Sequence, residues 1–286
     1  MITMWILWAC APPEGPGTVV FSPGEDGPFG AAWVETRVAA RVTESVRVEV
    51  TFPADDSGWP DEAALPAPAI VLVQGGLVSV ARYRWLAAHA ASEGYVVVAP
   101  EHPADLAFFA AGNGLAALEA VEAGGGVLDG LVEPGGPAVT MGHSLGGVVS
   151  SILWAGDERF DGLVTFASYP ADGTDVESRD APYLALTGRE DAQALVAQVE
   201  AGWERFAGPS WLGVVQGMAH YGWTDEDSDE DLEKGGDLTD GVRTDAAVRA
   251  DALRPLDAFL SATLRGDEAA TEALDAGDFS GVTWSP

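Results

Sequence analysis

Ala138-Val139-Thr140-Met141-Gly142-His143-Ser144-Leu145-Gly146-Gly147-Val148-Val149-Ser150-Ser151-Ile152-Leu153-Trp154 runs from an apolar strand-like segment through a glycine-flanked serine into a helical apolar pattern. Gly-x-Ser-x-Gly in that setting marks a sharp turn that aims a serine out of a strand end, and the crowding there calls for neighbours without side chains. A helix starting directly behind the serine points backbone N–H groups at negative charge developing near its oxygen. Ser144 is the candidate nucleophile of the chain.

Working outward, the same kind of apolar run recurs at 69–73, 95–99, 162–167, 183–187 and 211–215. Ala69-Ile70-Val71-Leu72-Val73 is continuously apolar and rich in β-branched residues, as a parallel strand buried on both faces should be. Helical patterns lie between these runs, near 80–92, 113–123, 145–155 and 192–206, with a closing helix over 246–264. Alternation of this kind implies an α/β fold with a doubly wound, mostly parallel sheet. Residues 41–52 instead alternate apolar and polar, which predicts a half-exposed antiparallel strand toward one edge. In such sheets ligands bind beyond the carboxyl ends of the strands. Only residues 168–181 separate two of the strands, too few for a large cap domain, so an open cleft is expected.

A serine nucleophile needs a base, and the chain holds four histidines. His89 falls inside a helical pattern, and His143 has its direction fixed by the turn. His220 follows the last core strand in Gly217-Met218-Ala219-His220, where glycine permits an exposed loop, and it is the preferred base. His102, His143, Tyr169 and Tyr221 are candidate substrate contacts; Tyr169 either flanks the substrate or packs under its own loop. The carboxylate that orients the histidine should sit after a strand. Asp191 in Thr187-Gly188-Arg189-Glu190-Asp191 fits, with Glu190 as the near alternative and Asp172 or Asp175 as more distant ones. An oxyanion hole would take one N–H from Leu145 and one from Gln74-Gly75-Gly76-Leu77, where either Gly76 or Leu77 can supply it.

At these residues the chain resembles the α/β-hydrolase superfamily over almost all of 40–265. Gly75-Gly76-Leu77-Val78 with Tyr83, Gly142–Gly147, Ala167-Ser168-Tyr169-Pro170 and Gly217-Met218-Ala219-His220-Tyr221-Gly222 are similar to a bacterial serine-hydrolase branch of dienelactone-hydrolase-like, cutinase-like and polyesterase-like proteins. True dienelactone hydrolases carry a cysteine where Ser144 stands, and many relatives have His or Pro where Gln74 stands. The resemblance implies an α/β-hydrolase fold, carboxylester hydrolysis and Ser144, Asp191 and His220 as the triad, in the chain order Ser, Asp, His expected of that superfamily. An open cleft suits bulky or polymeric esters as well as small soluble ones. Lipase, thioesterase and acyltransferase chemistry would use the same triad. A non-catalytic surface binding protein on this scaffold would show a damaged triad or a filled glycine loop, and neither occurs here.

Composition agrees with one enzyme-sized domain. The 286 residues are 47% hydrophobic, enough for a large core, and 14 basic against 45 acidic side chains leave a formal charge of −31. Such a field repels phosphate backbones, so nucleic acid is not an expected partner. No cofactor and no metal are expected: Asp225-Glu226-Asp227-Ser228-Asp229-Glu230-Asp231 lacks the glycine and the final glutamate of a calcium loop and reads as a solvated acidic segment. Residues 1–30 read as an apolar start and a Pro/Gly-rich tether, 31–266 as the hydrolase domain and 267–286 as an acidic tail. Leu7-Trp8-Ala9-Cys10 is similar to a lipoprotein cleavage box, which makes Cys10 a candidate lipid anchor and favours export over a cytoplasmic location, although no Lys or Arg precedes it. A monomer acting on a small or polymeric ester is the expectation.

Overall fold

The computed structural model describes residues 27–39, 45–101, 110–225 and 245–286. Cys10, His102 and the acidic run from Glu226 onward lie outside the described residues.

Nine strands form one sheet: β1 Gly30–Val38, β2 Val46–Ala54, β3 Ala69–Val73, β4 Val96–Glu101, β5 Ala138–His143, β6 Gly162–Phe166, β7 Tyr183–Gly188, β8 Ser210–Val215 and β9 Val282–Ser285. Their spatial order is β1-β2-β4-β3-β5-β6-β7-β8-β9. The six strands from β4 to β8 run parallel, while β1, β2 and β9 are antiparallel to their neighbours. Val71 pairs with Val98 and Thr140, and Met141 with Val164, all fully buried. This is the doubly wound, mostly parallel sheet that the continuous apolar runs predict.

Helices cover both faces. α1 (Arg84–Ser92) and a long helix, α5 (Asp245–Arg265), share one face, tied by His89 Nε2 and Asp257 Oδ1 at 2.8 Å. α2 (Ala110–Glu122), α3 (Leu145–Gly156) and α4 (Val196–Trp203) lie on the other. Gly114 of α2 meets Leu153 of α3, and Trp154 of α3 packs against Phe206 just past α4, ring centroids 5.5 Å apart. The connection from β6 to β7 carries no large cap, so nothing of that size stands over the strand ends there.

Three expectations are corrected. β2 lies toward one edge as expected, with β1 outside it, but it is not half-exposed: Glu49 on its supposedly solvated side is only 3% exposed. Arg84 donates Nε and Nη2 to Glu49 at 2.9 Å each and stacks 3.9 Å over Trp33, so the buried carboxylate is matched by a bidentate partner. The folded unit also begins before residue 31, because β1 starts at Gly30 and Phe29 N–H donates to Ser92 O at 3.2 Å.

The segment 267–286 is not a tail. Asp267 accepts from Ala269 and Ala270 N–H and starts α6 (Glu268–Ala276), which Gly277 closes in the left-handed conformation before β9 joins β8. Trp284 of β9 donates Nε1–H to Leu274 O at 2.8 Å, and Leu274 is fully buried. Acidic composition concealed one anchoring leucine and one tryptophan. Leu274→Ala should therefore cost about 2–5 kcal/mol of unfolding free energy, read from the urea midpoint; a loss near zero would make α6 peripheral.

Candidate active site

β5 ends at His143, and the chain turns at Ser144 with φ 51° and ψ −123°, a region L-residues seldom occupy. The glycines of the motif are required by contact. A Cβ at Gly142 would lie 2.3 Å from Gly146 O, and one at Gly146 would lie 2.2 Å from Val73 O and 2.4 Å from Gln74 O. Backbone bonds over-determine the turn: Ser144 N–H donates to Phe166 O at 2.9 Å, Gly147 N–H to Ser144 O at 2.9 Å, and Ser168 Oγ–H to the same carbonyl at 2.6 Å. Among the described residues the only non-glycine positions at positive φ are Leu77, in the loop after β3, and Ser144 and Ala167, directly past β5 and β6. Strain of this kind concentrates at functional sites.

The three residues expected to act together meet here. His220 Nε2 lies 3.0 Å from Ser144 Oγ, and His220 Nδ1 lies 2.9 Å from Asp191 Oδ2. Asp191 is 5% exposed, and its other oxygen accepts Gln193 and Ala194 N–H, both at 2.8 Å. Three N–H donors thus converge on one carboxylate, which sets Nδ1 of His220 as the protonated nitrogen and leaves the Nε2 lone pair toward the serine. Glu190, the alternative acid, holds the base's loop instead, accepting Gly217 N–H at 2.8 Å. Asp175 is engaged with Ser178 on the β6–β7 connection.

The three candidate oxyanion donors sit side by side. A Cβ at Gly76 would lie 3.4 Å from Leu145 Cδ2, and Leu77 is 84% exposed. The N–H groups of Leu145, Gly76 and Leu77 have no acceptor among the described residues. Residues 69–229, more than half of the chain and the span that contains every one of these groups, match the alpha/beta hydrolase family. The chain belongs to the alpha/beta hydrolase family. The sequence matches no curated protein. Family membership supports a hydrolase built on this fold.

Within this alpha/beta hydrolase the expected substrate contacts fare unevenly. His143 is corrected: it is fully enclosed and touches no cleft. Its Nδ1 lies 2.9 Å from Tyr83 Oη, its Nε2–H donates to His220 O at 2.9 Å, and its ring is 4.8 Å from that of His220. Tyr169 is half-buried with its Cβ side against Gly202 of α4, packed on the core. Tyr221 stays beside the base, half-buried and edge-on to the His220 ring at 5.2 Å. The sequence alone did not single out Ser168, which braces the turn, or Tyr83 as a partner of His143. Their neighbours are distant in sequence, and the visible signs were only Ser168 directly past a strand and Tyr83 in the first helical pattern after the glycine loop.

Burial, and secondarily the charge on a protonated His220, hold His143 well below the ordinary histidine value of 6.5. It is therefore neutral when folded, whereas the unfolded chain takes up a proton there below that pH. Stability is lost as pH falls through 6.5, by up to about 1.4 kcal/mol per pH unit for this one proton. His143→Gln, which cannot take up that proton, should flatten the profile of urea midpoints between pH 6.5 and 5 accordingly. Identical slopes in the two proteins would mean that folded His143 titrates normally.

Proposed function

We propose that this alpha/beta hydrolase is a serine carboxylester hydrolase. The observation that carries the reading is the unbroken line from Asp191 Oδ2 through both nitrogens of His220 to Ser144 Oγ, at 2.9 and 3.0 Å. His220 takes the Ser144 proton on Nε2 as Oγ attacks the ester carbonyl, and Asp191 orients the ring and offsets the charge that appears on it. The N–H of Leu145 and that of Gly76 or Leu77 hold the oxyanion of the tetrahedral intermediate. Collapse breaks the ester C–O bond, and the alcohol leaves with the proton from His220. Water, deprotonated by the same nitrogen, then attacks the acyl-enzyme and releases the acid, returning the proton to Ser144.

The absence of a large cap between β6 and β7 supports an open cleft that accepts bulky or polymeric esters. Leu77 and Leu195, 84% and 51% exposed, stand in the loops after β3 and β7, on the sheet edge that carries Ser144, and offer apolar surface to such a substrate.

Ser144→Ala should lower p-nitrophenyl ester turnover by roughly 10⁴- to 10⁶-fold and abolish fluorophosphonate labelling, with an unchanged circular dichroism spectrum. Retained turnover in that variant removes the reading. An ester panel from acetate to long acyl chains, together with a polyester film, separates the substrate classes: release of soluble products from the film supports the polymeric one, and activity confined to short soluble esters excludes it.

A further inference from the structure

We propose that Tyr83 and His143 are positioning residues, which tie the loop carrying the oxyanion donors to the loop carrying the base through one buried chain of hydrogen bonds. The inference rests on the serine-hydrolase reading of Ser144, Asp191 and His220.

The chain has four members. Gly75 N–H donates to Tyr83 Oη at 2.9 Å, Tyr83 Oη and His143 Nδ1 are 2.9 Å apart, and His143 Nε2 is 2.9 Å from His220 O. Its polarity is fixed at both ends, since a backbone N–H can only donate and a carbonyl can only accept. His220 O thus requires the proton of the neutral His143 ring on Nε2, which leaves Nδ1 to accept from Tyr83 Oη–H. Both side chains are sealed, at 1% and 0% exposure, and in such surroundings a satisfied network specifies one arrangement more strictly than at the surface.

The chain is placed where it matters. One end is the residue before Gly76 and Leu77, and the other is the main chain of the base itself. The fit over the middle is close, because a Cβ at Gly75 would lie 2.9 Å from His143 Nδ1 and 3.0 Å from Tyr83 Oη. His143 also precedes Ser144, so the same residue neighbours the nucleophile covalently and the other two functions by hydrogen bonds. Nothing in this arrangement touches substrate. Its effect is to keep the donors and Nε2 at the separation that the tetrahedral intermediate needs, and misplacement of such groups by about 1 Å costs on the order of a hundredfold in rate.

The test compares wild type with Tyr83→Phe, His143→Phe, His143→Gln and the double variant Y83F/H143F. Readouts are steady-state turnover of p-nitrophenyl acetate and amide hydrogen exchange at Gly75–Val78. Y83F and H143F should lower kcat by about 10- to 100-fold with KM little changed. The double variant should be no slower than the worse single one, because both break the same chain. H143Q should recover most of the loss, since its amide can accept from Tyr83 and donate to His220 O. Exchange should rise in Y83F and H143F and stay near wild type in H143Q. Unchanged kcat in Y83F, single effects that multiply, or H143Q as slow as H143F overturns the proposal. Y83F removes one oxygen and keeps the ring, so it decides the matter if H143F fails to fold. Wild-type protein left unlabelled by a fluorophosphonate overturns the serine-hydrolase reading instead, and exchange at Gly75–Val78 then still reports whether the two loops are coupled.

Discussion

Between Gly146 and the end of β3 there is room for backbone and nothing else, since a Cβ would overlap the Val73 and Gln74 carbonyls at 2.2 and 2.4 Å. That contact presses the first turn of α3 onto the strand end from which the glycine loop departs. It brings the Leu145 amide next to Gly76, and it leaves Ser144 no course between β5 and α3 except the sharp one with positive φ. The sheet supplies the counter-pressure: Phe166 O and Ser168 Oγ, from the next strand and the loop after it, hold the same turn from the other side.

Each group of the proposed site comes from a different strand end, and the parallel sheet sets the spacing among them. Adjustment is left to the loops, and these are stitched in pairs. Glu190 and the close packing of Gly188 on Met218 O join the loop of Asp191 to that of His220. The Tyr83–His143 chain joins the base's loop to the glycine loop. The result is a ring of short connections around Ser144 in which no member depends on a long exposed side chain. Little of the strongly acidic surface takes part: the carboxylates used are those of Asp191, which is buried, and Glu190, which is half-buried.

The fold was legible because its evidence is local. Strands such as 69–73 are apolar throughout, and burial on both faces demands that wherever they lie. The turn at Ser144 was legible because its crowding leaves a local mark, glycine two positions before and two after the serine. Asp191 and His220 stood out in the sequence as residues in the loops after two strands, and the structure brings them together with Ser144. β1 escaped because Ala31 and Ala32 interrupt any alternation, and 267–286 escaped because one leucine and one tryptophan anchor an otherwise acidic segment. His143 was misread because its neighbours, Tyr83 and the carbonyl of His220, are 60 and 77 positions away. Nothing in the motif tells whether a histidine before the serine faces the cleft or the interior.

The positive φ at Ser144 has an evolutionary edge to it. A serine in that conformation opposes folding, whereas glycine would adopt it without steric strain. Laboratory selection for heat tolerance alone would thus favour replacement of Ser144, the nucleophile of the proposed reaction. Leu77 and Ala167 are also held at positive φ. Consensus design or stability-guided recombination of this scaffold therefore needs an activity screen at every round, because selection for stability alone works against the proposed nucleophile.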